Sequence, residues 1–102
     1  MGLLDGKSGI VTGAAQGFGL ATAKRLAEEG AAVALVDIKA DKVNAAAESL
    51  VSEGLNAIAV EADVSDENAT IRMLDEAEQA FGKLNFIHQN AAIQVEKLLH
   101  ET

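Results

Sequence analysis

The stretch Thr12-Gly13-Ala14-Ala15-Gln16-Gly17-Phe18-Gly19, TGAAQGFG, sets three glycines within eight residues, directly after an apolar run and directly before a helical pattern. Glycine inside a regular element costs roughly 0.5–1 kcal/mol relative to alanine, so glycines at this spacing mark a turn that needs side chains to be absent. A ligand bearing phosphate is one source of that need. Upstream, Ser8 to Thr12 (SGIVT) reads as a short buried strand, weakened by Ser8 and Gly9. Downstream, from Gly17 to Glu29, the period becomes helical, with Phe18, Ala21, Leu26 and neighbouring alanines on the apolar face and Gly30 placed to end it. Glu28 and Glu29 have the wrong sign for that end of a helix dipole, a cost of roughly a few tenths of a kcal/mol that packing overrides.

Further along, Ala31 to Val36 (AAVALV) is a continuous apolar run, as a strand covered on both faces requires, and Asp37 marks its exit. A second helical pattern runs from about Asp41 to Glu53, with Val43, Ala46, Ala47, Leu50 and Val51 on one stripe and Gly54 beyond. Asn56 to Val60 returns to strand character. After Asp63 and Val64, either Ser65 or Asp66 caps a third helix whose buried face is Ala69, Met73, Leu74, Ala77 and Phe81, closed by Gly82. Leu84 to Gln89 (LNFIHQ) is a fourth strand, and Asn90-Ala91-Ala92 leads into a last helical stretch that runs to Thr102. This alternation predicts a parallel sheet with right-handed crossovers and helices on its faces, in one domain.

Composition narrows the functions open to such a fold. The 102 residues are 49% apolar, much of it alanine, and only Phe18, Phe81 and Phe86 are aromatic. Close helix-to-sheet packing follows, rather than a core of large rings. A formal charge of −8 and the lack of any basic stripe disfavour a nucleic acid partner. The chain has no cysteine, hence no disulfide framework and no thiolate zinc site. The N-terminal MGLLDGKSG has no signal-like apolar region, and no run of about 18 apolar residues occurs, so the expected setting is the cytoplasm, away from membranes.

In a parallel α/β sheet the loop after the first strand enters a helix whose first backbone N–H groups have no partner within the helix. Those donors and the helix dipole attract a pyrophosphate. Gly13 then lets the strand turn sharply, Gly17 lets backbone approach the ligand, and Gly19 lets helix and strand pack closely. The spacing GxxxGxG differs from the GxGxxG fingerprint, but its setting between strand and helix strengthens it. Asp37 ends the second strand at roughly the 20-residue interval expected of a carboxylate that holds the adenosine ribose. Such a carboxylate accepts hydrogen bonds from ribose hydroxyls and repels a 2′-phosphate, which favours NAD over NADP. Lys39 works against that preference, because an ammonium relieves part of the repulsion.

Taken in order, Thr12 to Gly19 resembles the TGxxxGxG cofactor loop of the short-chain dehydrogenase/reductase family, Asp37 its acidic position, Asp63-Val64 its adenine-side pair, and Gln89-Asn90-Ala91-Ala92 its NNAG stretch. The resemblance covers nearly the whole chain. It implies a Rossmann-like three-layer αβα fold with a parallel sheet of strand order 3-2-1-4, truncated after the fourth strand and part of the next helix. Residues 1–102 would then be an incomplete NAD-binding half of a Rossmann-fold domain. Carried across, the resemblance implies that Gly13, Gln16, Gly17 and Phe18 line the pyrophosphate loop, Asp37 and Ile38 meet the ribose, Asp63 and Val64 flank adenine, and Asn90 and Ala91 lie beside the cofactor. Phe18 stands where a smaller aliphatic residue is usual, and Ala92 where glycine is common.

The family's activity is hydride transfer between a nicotinamide cofactor and an alcohol or carbonyl substrate. Its members are far longer, and after the fourth strand they carry a catalytic serine and a Tyr-x-x-x-Lys pair, in which the tyrosine exchanges a proton with the substrate oxygen. This chain has no tyrosine, so it is expected to be inactive alone, whether truncated, proteolysed or encoded as a remnant. A nucleotide-binding module without chemistry is a second reading of the same motifs. A third is structural: with the order 3-2-1-4 the fourth strand exposes an edge, which predicts a homo-oligomer through it, with the last helix exchanged between copies. His88 reads as a strand residue without a catalytic partner, and His100 as solvated. Asp63, Asp66, Glu67, Asp75, Glu76 and Glu78 read as a solvated acidic face rather than a metal site.

Overall fold

Apolar runs with no polar interruption form strands that are covered from both sides, and stripes of alanine let helices lie close on them. In the computed structural model, which describes residues 4–63 and 65–88, this gives β1 (Ser8–Thr12), α1 (Gly17–Glu28), β2 (Ala32–Asp37), α2 (Ala40–Ser52), β3 (Ala57–Glu61), α3 (Glu67–Phe81) and β4 (Phe86–His88). The strands form one parallel sheet in the order β3-β2-β1-β4. Ile10 sits between Ala34 of β2 and Ile87 of β4, while Val36 and Asp37 at the end of β2 pair with Val60 and Glu61.

Alternation along the strands divides the core into two halves. Val11, Val33 and Leu35 face α1 and α2, packing with Ala23, Ala27, Val43, Ala46 and Leu50. Ile10, Ala34, Val36 and Val60 face the other way, against Met73 and Ala77 of α3. These are the three expected layers, with the sheet in the middle.

Helix phase is where expectation and structure part. Phe18 and Ala21 were expected on the buried face of α1, but Phe18 is 85% exposed, Ala21 is exposed, and the buried residues are Gly19, Ala23 and Ala27. The reason is steric. Gly19 lies so close to β1's exit that a Cβ there would meet the Gly13 carbonyl, and this contact fixes the helix rotation with positions 19, 23 and 27 inward. Val51 differs through helix phase alone: Val43, Ala46, Ala47 and Leu50 are buried on α2, and Val51, one residue past Leu50 and about 100° around the helix, is exposed.

Termini follow local chemistry. Asp66, not Ser65, caps α3, its carboxylate accepting from the amides of Asn68 and Ala69. At the far end of α1, Arg25 pairs with Glu29 at 2.8 Å, which offsets part of the unfavourable dipole interaction. β4 begins two residues later than the run Leu84–Gln89 suggests. Asn85 is drawn into a bracket with β1, its amide donating to the Ser8 carbonyl at 2.7 Å and its side chain accepting from the Ser8 amide at 2.9 Å, while Leu84 packs against the α3 side of the core. Gln89, expected to end the fourth strand, and the last helical stretch expected after Asn90-Ala91-Ala92 and running to Thr102 lie outside the described residues, as does Val64.

Candidate functional site

All four strands run the same way, and the order reverses direction between β1 and β4, which places a crevice at their carboxyl ends. A cleft of about 160 Å³ opens there, lined by Thr12 and Gly13 from β1's exit, Val36, Asp37 and Ile38 from β2's exit, and Ala62 and Asp63 from β3's exit. The glycine loop forms the neighbouring rim. Gly13 and Gly17 have φ of 64° and 63°, in the left-handed region that glycine enters without penalty. Around Gly17 a Cβ would find no atom within 4 Å, so backbone is open to solvent at that point.

The N-terminus of α1 carries no side-chain cap from its N-cap residue. Gln16 occupies its N-cap with extended backbone and makes no side-chain cap bond, and no acidic residue lies in the first turn. Compare α3, whose first amides are taken by Asp66. The Gln16 side chain instead reaches sideways, accepting from Lys42 Nζ on α2 at 3.3 Å. An uncapped helix start with a lysine alongside is a favourable environment for an anion.

Asp37 is half-buried at the lip of β2. Its Oδ2 accepts from the Ala15 amide at 3.2 Å and its Oδ1 from the Lys39 amide at 3.1 Å. Two bonds to neutral amides leave further lone pairs on both oxygens for a ligand. Ile38 is 58% exposed at the cleft mouth. Asp63 accepts from the hydroxyl and the amide of Ser65, and these bonds, the hydroxyl first, hold its carboxyl below the ordinary value.

The structure therefore brings Gly13, Asp37, Ile38 and Asp63 to one cleft and sets Gln16, Gly17 and Phe18 on the adjoining rim. Phe18 points out to solvent and does not fill the loop. Val64, Asn90 and Ala91 lie outside the described residues. Sequence reasoning passed over Thr12, Val36 and Ala62 as cleft walls, and Ala15 and Lys42 as loop partners. A basic residue in the first helical turn after the acidic strand end was a signal available for Lys42; nothing in the sequence pointed to Ala15.

With this geometry in place, residues 7–102 match the profile described as short chain dehydrogenase. The chain belongs to the short-chain dehydrogenase family. An uncharacterised oxidoreductase of Mycobacterium tuberculosis is 50% identical over 91 residues, covering 89% of this chain and 37% of the relative. The cis-4-hydroxycyclohexanecarboxylate dehydrogenase of Sinomonas cyclohexanicum is 43% identical over 93 residues, covering 90% and 37%. Among solved structures, a hydroxysteroid dehydrogenase from Escherichia coli superimposes with a TM-score of 0.84 at 35% identity, over 86% of this chain and 37% of that one. This chain thus spans little more than a third of the length of the short-chain dehydrogenases it matches. Among the described residues no group of three or more potential ligands could hold a metal ion, and no helix is long and apolar enough to cross a membrane.

Proposed function

We propose that this chain is the dinucleotide-binding part of a short-chain oxidoreductase, and that it takes NAD in preference to NADP. One observation supports this above the others: the Asp37 carboxylate stands at the cleft beside an uncapped helix start, so a ribose acceptor and a pyrophosphate donor set lie together. The backbone of Gly13, Gln16, Gly17 and Phe18 would hold the pyrophosphate, Asp37 and Ile38 the ribose, Asp63 and Val64 the adenine, and Asn90 and Ala91 the nicotinamide side. When bound, the nicotinamide supplies hydride chemistry. The chain's own residues orient the dinucleotide, and without any tyrosine they offer no phenol for proton exchange with an alcohol or carbonyl substrate. No turnover is expected from these 102 residues alone.

Calorimetric titration of the 102-residue chain tests the reading. NAD should bind at millimolar concentration or below, and NADP at least about tenfold more weakly, the equivalent of about 1.4 kcal/mol. No heat with NAD, or equal affinity for NADP, defeats it.

A second reading concerns association. Among the described residues β4 pairs only with β1, and Ile87 on it is 50% exposed. Strand edges of this kind invite pairing. Standing alone, this chain should form a homo-oligomer through that edge; a monomeric mass by light scattering at high concentration refutes it.

A further inference from the structure

The bond between Ala15 and Asp37 joins two segments that the dinucleotide reading treats as separate contacts, one for pyrophosphate and one for ribose. The glycine loop is held to the end of β2 at two points: the Ala14 amide donates to the Val36 carbonyl at 3.1 Å, and the Ala15 amide donates to Asp37 Oδ2 at 3.2 Å. Ala14 and Ala15 are buried, whereas Gln16, Gly17 and Phe18 beyond them are exposed. The exposed stretch 16–18 is therefore anchored at its start by this tether and at its far end by Gly19, which packs against Gly13. The second tether differs from the first in kind, because its acceptor is a charged side chain and can be altered without touching backbone.

We propose that Asp37 is a positioning residue for the anion-binding loop, holding the Ala15 amide so that the first amides of α1 are in place before a ligand arrives. This rests on the dinucleotide reading and adds to it a role that needs no ribose. It also makes a prediction whose sign is opposite to simple electrostatics. Removing a negative charge near an anion site should by itself tighten anion binding. If Asp37 positions the loop, Asp37→Ala instead weakens binding of an anion that has no ribose at all.

Two variants and two measurements decide it. In Asp37→Ala the Ala15 amide, read by NMR hydrogen exchange on the ligand-free chain, should exchange about tenfold faster or more, while Ala14, bonded to Val36, changes less than about twofold. Asp37→Asn keeps an acceptor without the charge, and should restore Ala15 to near-native exchange. Inorganic pyrophosphate should bind several-fold more weakly to Asp37→Ala, and at least as well to Asp37→Asn as to the native chain. Equal Ala15 exchange in the native chain and Asp37→Ala overturns the proposal, and so does a pyrophosphate affinity that rises in Asp37→Ala. The exchange measurement uses no ligand, so it still rules on the tether if titration with NAD defeats the dinucleotide reading.

Discussion

At Gly19 a single methyl group separates a docked helix from a displaced one. A Cβ there meets backbone, the Gly13 carbonyl, and backbone cannot swing aside as a side-chain tip can. Gly19→Ala should cost about 1–3 kcal/mol in urea denaturation and abolish NAD binding in the same protein. Gly9 tells a related story on β1. The sequence presents it as a weak point in a strand, yet the Phe86 ring from the neighbouring strand lies over it, occupying the space a Cβ would need. A third residue-scale test uses charge. Ser65 donates twice to Asp63 and holds its carboxyl low, so that group's stabilising contribution is present above its unfolded pKa and fades as pH falls through the folded value. In Ser65→Ala the Asp63 titration should move up toward the ordinary carboxylate range, which carboxyl NMR reads directly.

Helix starts separate structure from function at the scale of elements. α3 begins with a carboxylate that satisfies its first amides; α1 begins with Gln16 and satisfies none of its own by a side chain. Asp66→Ala should therefore cost about 0.5–2 kcal/mol in denaturation without affecting NAD binding. Gln16→Asp is the converse experiment. A carboxylate at that N-cap should raise the melting temperature and lower NAD affinity by about tenfold or more, because it occupies the same donors and adds like charge. Stabilisation with unchanged affinity would show that the α1 amides do not hold the ligand. Element order, and the ends of most elements to within a residue, were legible from apolar runs and glycine stops. The rotation of α1 was not, because periodicity defines a stripe of a helix but not which stripe a neighbour will accept.

Across the whole molecule, β2 is the hinge between both halves of the core, with Val33 and Leu35 on one side and Ala34 and Val36 on the other. Leu35 is fully buried, and Leu35→Ala should remove about 2–5 kcal/mol, a large share of the roughly 5–15 kcal/mol that holds a domain together. A midpoint shift in urea measures it. What the amino-acid order determined by itself was local: the alternation of strands and helices, the side-chain-free turn after β1, and an acidic residue at the exit of β2. The order 3-2-1-4 came from likeness to a family rather than from any period in the chain. Only the tertiary structure decided which residues come together: Ala15 with Asp37, Lys42 with Gln16, Gly19 with Gly13, and Thr12 and Ala62 as walls of one cleft. Periodicity and turn chemistry act over a few residues, whereas these contacts depend on how separate elements are laid side by side, which is set by the packing of the whole sheet and its helices.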